Sequence, residues 1–261
     1  MIRRYFLEGR QMMDLRGRCA VVVGTRRIGR EMALRLAALG MEVGVVYRGS
    51  RDKALALASE VQGLGQRSIA VQSFLSSDSE VASALDAVEA ACGPVSCLIN
   101  LASDYERTPF ETLDAEAWDR GMQAARVNYL LAVHSARRMK LLPGPTRGHI
   151  LQFGDWAAGE TPYKDYLPYL TAKAAIQFMT RALAVELAKD GILVNTIAPG
   201  PTVRPPEISE EEWAAKVVSR TPLRRESSVD DIVELAVTLL RSQTITGEVI
   251  RVDSGRHIAP R

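Results

Sequence analysis

The chain has 261 residues, and its 33 basic and 31 acidic side chains leave a net charge of +2. Apolar residues make up 47% and charged residues 25%, a composition typical of globular chains that bury their own core. A balanced charge disfavours nucleic-acid binding, and no apolar run reaches the roughly 18 residues of a membrane span. We therefore expect neither nucleic acid nor a membrane as a partner.

Cysteines and histidines give no sign of a metal site. Cys19, Cys92 and Cys97 form an odd set without zinc-ligand spacing, and the three histidines lie far apart in the sequence. Free thiols indicate a reducing, cytoplasmic location. Residues 1–13 contain no apolar run of secretory length, and we predict that they form a loose arm before a domain spanning 14–261.

From Cys19 onward, short β-rich runs alternate with longer segments of helical periodicity. The predicted strands are Ala20–Val23, Val43–Tyr47, Ile69–Val71, Val95–Asn100, His149–Phe153, Ile192–Ile197 and Val249–Val252. The predicted helices are Arg30–Leu39, Asp52–Leu64, Ser79–Ala91, Trp118–Leu142, Tyr169–Lys189, Glu210–Ser219 and Val229–Arg241. This alternation predicts a single doubly wound α/β domain, with a seven-stranded, mostly parallel sheet and helices on both faces.

The first strand leads into the first helix through a turn that runs from Gly24 to Gly29 and contains Arg26 and Arg27. Such a turn points backbone N–H groups and the positive end of a helix at an anion, usually a dinucleotide pyrophosphate. A plain tight turn is the alternative interpretation. Strand two ends at Arg48, where binders of the unphosphorylated dinucleotide usually place an acid. An arginine suits a 2′-phosphate, so the residues favour NADP(H) as the cofactor. The alternative is that Arg48 is a solvated surface arginine without a ligand.

Tyr169 and Lys173 stand four residues apart in a strongly helical segment, which places them on one helix face. A free phenol has a pKa near ~10, and a nearby ammonium favours its ionised form. We therefore predict that Tyr169 is an acid/base made acidic by Lys173, which can also hold a ribose hydroxyl. The alternative is an exposed pair without a catalytic role.

The chain resembles the short-chain dehydrogenase/reductases over roughly residues 15–258. The resemblance is carried by the nucleotide turn, Asn100-Leu101-Ala102, Asn128, Tyr169 with Lys173, Pro199-Gly200 and Val252-Asp253-Ser254-Gly255. It implies a Rossmann-type domain, hydride transfer from a nicotinamide and a homotetramer or homodimer. It also implies that Asn128 organises a water relay to the lysine, with a simple helix–helix hydrogen bond as the alternative.

The cofactor contacts that follow from the turn, from strand two and from the resemblance form one set. They are Gly24, Thr25, Arg26, Arg27, Ile28, Gly29, Arg48, Ser50, Leu75, Asn100, Ala102, Ser103, Tyr169, Lys173, Pro199, Gly200 and Thr202. Leu75 is included for its backbone only, because the aspartate that often fixes the adenine after strand three is absent here.

Departures from the family pattern resemble one branch, the pteridine reductases and their dihydromonapterin or dihydrofolate reductase-like relatives. Arg27 replaces the middle glycine of the usual TGxxxGxG turn, and the asparagine motif ends in Ala102-Ser103. Tyr105 matches the position of an aromatic ring that sandwiches the pterin, although a partly buried loop aromatic is an equal alternative.

Asp155 stands where the family normally has a carbonyl-orienting serine, one residue further from Tyr169 than in the pteridine reductases. We therefore assume a one-residue insertion within Gly159–Pro168. A protonated aspartic acid could supply a proton to a ring nitrogen, and this would give an acidic pH optimum. The alternative is an aspartate that caps the strand end. The predicted catalytic residues are Asp155, Tyr169, Lys173 and Asn128, and the predicted substrate contacts are Ser103, Tyr105, Asp155 and Tyr169.

These features predict an NADPH-dependent reductase that transfers hydride to a C=N bond of a pterin- or folate-like substrate. One alternative is an NADPH-dependent carbonyl or 3-oxoacyl-thioester reductase of the same family. A second alternative is a non-catalytic dinucleotide-sensing protein.

Overall fold

A computed structural model describes residues 12–204 and 208–259. Its centre is one sheet of seven parallel strands in the order β3-β2-β1-β4-β5-β6-β7. The strands are β1 Cys19–Val23, β2 Glu42–Tyr47, β3 Ser68–Gln72, β4 Val95–Asn100, β5 Gly148–Phe153, β6 Ile192–Pro199 and β7 Val249–Val252. The predicted fold class is confirmed.

Seven α-helices of the described residues cover both faces of the sheet. They are α1 Ile28–Ala38, α2 Arg51–Gly63, α3 Asp78–Cys92, α4 Ala115–Met139, α5 Leu167–Leu187, α6 Glu210–Lys216 and α7 Val229–Arg241. Helices α1, α2 and α7 share one core with the sheet, and α3, α4 and α5 share the other. Along β1, Ala20 and Val22 enter the first core while Val21 and Val23 enter the second, as alternating side chains of a buried strand must.

Helices α1 to α5 begin one to three residues earlier than predicted, and α4 and α5 show the local reasons. Helix α4 starts at Ala115 because the Asp114 side chain accepts a hydrogen bond of 2.7 Å from the Ala117 N–H. Helix α5 starts at Leu167, and Pro168 occupies its first turn, where a missing N–H costs nothing. Tyr169 therefore lies inside the first turn of α5 rather than opening it.

The expected loose arm is packed at its last residue. The Met13 side chain is 7% exposed and belongs to the core, and its N–H donates to the Arg241 carbonyl at 2.9 Å. Residues 1–11 of the arm lie outside the described residues. Among the described residues, no helix is long and apolar enough to cross a membrane, and no three His, Cys, Asp or Glu side chains cluster as metal ligands would.

The strand order reverses between β1 and β4, which are neighbours although β2 and β3 follow β1 in sequence. In open α/β sheets, ligands bind in the crevice beyond the carboxyl ends of the strands at this switch point. The turn after β1, Arg48 after β2, the asparagine motif at the end of β4 and Asp155 after β5 all lie at that edge.

Candidate active site

Two adjoining cavities occupy the switch-point edge. The smaller has a volume of 490 Å³, and the predicted cofactor residues that line it are Gly24, Thr25, Arg26, Arg48, Ser50, Leu75, Ala102 and Ser103. The larger has a volume of 1760 Å³, and the predicted site residues that line it are Arg27, Ile28, Ser103, Tyr105, Asp155, Tyr169, Lys173, Pro199, Gly200 and Thr202. Both cavities share Leu101 and Ser103, so they form one elongated cleft. Gly29, Asn100 and Asn128 line neither cavity.

The turn after β1 depends on its glycines. Gly24 has φ +100, and a Cβ added to Gly29 would lie 1.9 Å from the Gly24 carbonyl oxygen, so no larger residue fits there. Arg27 precedes α1 with φ 49 and makes no side-chain capping bond, which leaves the positive end of α1 without a side-chain cap. A positive φ at a residue with a side chain costs about 1 kcal/mol or more, and glycine would adopt it freely.

Arg48 reaches the smaller cavity, but a partner that the sequence did not reveal holds it. Its Nη1 and Nη2 donate to the two carboxylate oxygens of Asp104 at 2.9 and 2.8 Å. Asp104 also raises the pKa of Arg48, chiefly through these hydrogen bonds. Both side chains are more than half exposed, so an incoming phosphate can compete for the guanidinium at little cost.

Tyr169, Asp155 and Lys173 meet in the larger cavity. The Tyr169 hydroxyl donates to Asp155 Oδ2 at 2.9 Å, and the Ala157 N–H donates to Oδ1 at 2.8 Å. Asp155 is only 8% exposed. One turn along α5, the buried Lys173 Nζ donates to the Phe153 carbonyl at 2.8 Å and lies 5.8 Å from the centre of the Tyr169 ring. Asp155 thus bonds directly to the phenol, whereas Lys173 reaches it only from the ring side.

The protonation of this group corrects the expectation that Lys173 makes Tyr169 acidic. Burial raises the pKa of Tyr169 well above its usual value, and the adjacent Asp155 charge raises it further. Burial lowers the pKa of Lys173 to about 8, although the Asp155 charge opposes that fall. Burial also raises the pKa of Asp155, against the hydrogen bonds from Ala157 and Tyr169. Tyr169 therefore remains a protonated phenol near neutrality, and burial favours the protonated form of Asp155.

Two further side chains fix Asp155, and the sequence analysis missed both roles. The Tyr163 hydroxyl donates to Asp155 Oδ2 at 3.3 Å, and Gln177 Nε2 donates to the Asp155 carbonyl at 2.8 Å. Gln177 continues the Tyr169–Lys173 series at a spacing of four and could have been found from that pattern. Tyr163 lies in a loop with no such periodicity, so nothing in the sequence indicated its contact. These bonds make Asp155 part of a buried network, while its Oδ1 also caps the backbone beyond β5 by accepting the Ala157 N–H.

An aromatic wall surrounds the reacting groups. The Tyr105 ring stacks on Tyr166 at 4.5 Å and meets the edge of Tyr169 at 5.0 Å, while its side chain stays more than half exposed. The loops that carry these rings are joined, because the Thr108 N–H donates to the Asp165 carbonyl at 2.6 Å. Tyr105 therefore places an exposed aromatic ring beside Tyr169, where it can pack against a flat substrate.

Two buried amides that line neither cavity have unpaired groups. Asn128 Nδ2 donates to the Ala124 carbonyl of its own helix at 2.8 Å, but Oδ1 has no partner among the described residues. Asn100 Oδ1 accepts from the Ala102 N–H at 3.0 Å, and its Nδ2 likewise lacks a partner within the part of the chain described. Within the described residues, Asn128 thus bonds to its own helix and makes no helix–helix hydrogen bond. An unpaired buried amide costs about 1–3 kcal/mol, so water or a ligand group is the expected partner.

Comparisons with known proteins agree with this geometry. Residues 22–257 match the family model described as Enoyl-(Acyl carrier protein) reductase. A short-chain type dehydrogenase/reductase of Picea abies is 30% identical, with 93% of each chain covered. The chain belongs to the short-chain dehydrogenase/reductase family. This assignment confirms the resemblance to the short-chain dehydrogenase/reductase family. The chain is therefore an oxidoreductase, and the alternative of a non-catalytic sensor is wrong.

Other members of the short-chain dehydrogenase/reductase family are also similar over almost the whole chain. FolM alternative dihydrofolate reductase 1 from Brucella canis, solved with NADP, superposes with a TM-score of 0.86 at 28% identity, covering 95% of this chain and 97% of that one. A short chain dehydrogenase from Burkholderia cenocepacia, also solved with NADP, superposes with a TM-score of 0.84 at 28% identity, covering 94% of this chain and 99% of that one. The 3-oxoacyl-[acyl-carrier-protein] reductase FabG of Staphylococcus aureus is 28% identical over 92% and 98%.

Proposed function

We propose that this protein is an NADPH-dependent reductase of the pteridine-reductase-like branch, acting on a C=N bond of a pterin- or folate-like ring. The observation that carries the proposal is the buried Asp155 carboxyl, which accepts the Tyr169 hydroxyl at 2.9 Å where the family normally has a serine. A serine can only orient a carbonyl, whereas a carboxyl with a raised pKa can protonate a ring nitrogen. The similarity to FolM supports the same interpretation.

The cofactor is NADP(H), and the residues present fit it. In the glycine cradle, Gly29 has room only for backbone and Gly24 has φ +100. The positive end of α1 faces the cleft, and Arg26 and Arg48 line the smaller cavity. Arg27, Ser103 and Thr202 line the larger one. When bound, NADPH supplies the hydride.

The chain's own residues manage the proton. Protonated Asp155 can deliver its proton from Oδ2 to the substrate nitrogen, while the Tyr169 hydroxyl holds that oxygen in place. Lys173 is an ammonium below a pKa of about 8, so it balances the Asp155 charge and has donors left for a ribose hydroxyl. The unpaired Asn128 Oδ1 can accept a hydrogen bond from a water molecule. Such a water can relay a proton through Lys173 to replace the one that Asp155 has donated.

A second candidate is the carbonyl or 3-oxoacyl-thioester reductase. The hydroxyls of Tyr163 and Tyr169 converge on one oxygen of Asp155, and two such donors could equally hold a carbonyl oxygen. The relationship to FabG supports this candidate.

A turnover panel separates the two candidates. With NADPH, we compare dihydrobiopterin and dihydrofolate with acetoacetyl-CoA and simple ketones. The first proposal predicts that kcat/KM for a dihydropteridine exceeds that for every ketone by about 100-fold or more. Preferred reduction of a keto substrate would replace it with the second candidate.

We also propose that copies associate as a homotetramer or homodimer in the cytoplasm. Helices α4 and α5 expose Trp118, Tyr129, Leu167, Phe178 and Val185. Apolar side chains grouped on two adjacent helices suit a closed symmetric interface. Light scattering of the purified protein should give a mass of two or four chains, and a monomer at micromolar concentration would oppose the proposal.

A further inference from the structure

The larger cavity carries more positive charge than the proposed reaction uses. Its described basic lining residues are Arg27, Arg107, Lys173, Lys216, Arg220, Arg224 and Arg256. Asp155 is the only acidic residue among the described lining residues. Arg107 pairs with Asp165, and Lys216 pairs with Glu212. Within residues 12–204 and 208–259, by contrast, no carboxylate forms an ion pair with Arg220, Arg224 or Arg256.

Among these cations, Arg256 has a geometry that suits anion binding. It begins a short 3₁₀-helix after β7, and its guanidinium carbon lies 5.0 Å from the centre of the Trp156 ring. A guanidinium that stacks on a ring keeps its edge N–H groups free to bind an anion in bidentate fashion. Burial and the charge of Arg220 lower the pKa of Arg256, while the charge of Asp253 partly opposes that fall. The shared positive potential of Arg220 and Arg256 would be relieved by an anion.

A series of side-chain contacts connects Arg256 with the reacting groups. The Trp156 ring faces Tyr163 at 6.2 Å, and the Tyr163 hydroxyl donates to Asp155 Oδ2 at 3.3 Å. Two aromatic rings therefore line the path from Asp155 to Arg256. We therefore expect a ligand that reacts at Asp155 to extend along these rings toward Arg256 through a tail.

We propose that Arg256, assisted by Arg220, binds a carboxylate or phosphate at the end of a tail attached to the reducible part of the substrate. The ring chemistry in this inference rests on the proposed function, but the anion site does not. The substrate class is thus a tailed, anionic molecule rather than a small neutral ring.

The test compares two substrates that share a reducible ring and differ in tail charge. Dihydrofolate has a tail that ends in carboxylates, and the tail of dihydrobiopterin is uncharged. Arg256→Gln should raise KM for dihydrofolate about tenfold and leave that for dihydrobiopterin within about twofold, with kcat little changed. Arg256→Lys should restore part of the loss. Arg251→Gln is the matched control, because Arg251 pairs with Glu160 at 2.9 Å and does not line the cavity.

Salt gives an independent reading of the same contact. Added salt should weaken dihydrofolate binding by the wild type, measured by calorimetry, and weaken it less in Arg256→Gln. Equal changes of KM for both substrates, or no change for either, would overturn the anion site.

Failure of the proposed function would look different. If the wild type reduces neither dihydropteridine, the same comparison is made with acetoacetyl-CoA, whose tail bears phosphates, and ethyl acetoacetate, which has no charge. A rise in KM of Arg256→Gln for acetoacetyl-CoA alone would support the anion site and assign it to phosphate. Equal KM changes for the two keto substrates, or no change for either, would overturn the anion site.

Discussion

The two halves of the cleft are built by different means. In the cofactor half, the backbone sets the shape, because Gly29 packs so closely against Gly24 that a Cβ would lie 1.9 Å from its carbonyl oxygen. In the substrate half, side chains set the chemistry, because Tyr163 from a loop and Tyr169 from helix α5 both donate to Asp155. Changes in the first half should therefore alter cofactor binding, and changes in the second should alter the rate of reduction.

The largest expected effect is on the rate. Tyr169→Phe removes the hydroxyl that holds Asp155 Oδ2 and should lower kcat about 10³-fold, while the Kd for NADPH stays within about twofold. Tyr166→Phe is the control, because Tyr166 stacks on Tyr105 but makes no bond to Asp155, and its kcat should change little. Equal losses of rate and of NADPH binding in Tyr169→Phe would contradict the division between the halves.

The next largest effect is on cofactor binding. Gly29→Ala forces a Cβ against the Gly24 carbonyl, so the turn must open and NADPH Kd, followed by fluorescence titration, should rise about 100-fold. Gly63→Ala places a Cβ in open space and should leave Kd and Tm unchanged. Near-normal NADPH binding by a folded Gly29→Ala would show that the turn does not form the cofactor cradle.

The smallest effects concern the choice between NADPH and NADH. Arg48→Ala should reduce the preference for NADPH about tenfold, because it removes the guanidinium proposed for the 2′-phosphate. Asp104→Asn should act in the opposite direction and tighten NADPH binding about threefold, since it frees Arg48 and removes a like charge near the phosphate. Calorimetry with each dinucleotide measures both. If Asp104→Asn weakened NADPH binding instead, Asp104 would have to orient Arg48 rather than compete for it.

The sequence predicted the fold well because a doubly wound sheet leaves a strong pattern. All seven predicted strands are present, since strands buried on both faces are continuous β-rich runs between segments of helical period. The glycine turn was equally visible, because its geometry excludes other residues at Gly29. Helix starts were less accurate, as at α4, where the Asp114 cap decides the boundary.

The electrostatics of the site could not be predicted in the same way. The spacing of Tyr169 and Lys173 gives their common helix face but not the burial that raises the pKa of the phenol. Nor does it show that Lys173 donates to the Phe153 carbonyl. The contact of Asp104 with Arg48 joins loops distant in sequence, and Tyr163 contacts Asp155 from an irregular loop, so no local pattern encodes either contact.

Asp155 as the proton donor is best tested by the pH dependence of kcat for a dihydropteridine. Burial raises the pKa of Asp155, so its protonated form persists nearer to neutrality, and the rate should be high on the acidic side and fall as pH rises through that pKa. A further fall is expected where Lys173 loses its proton, at a pKa of about 8. Asp155→Asn should abolish the first fall and move the second to lower pH, because the Asp155 charge raises the pKa of Lys173. A flat profile from about pH 5 to 8 in both proteins would contradict a proton-donating role for Asp155.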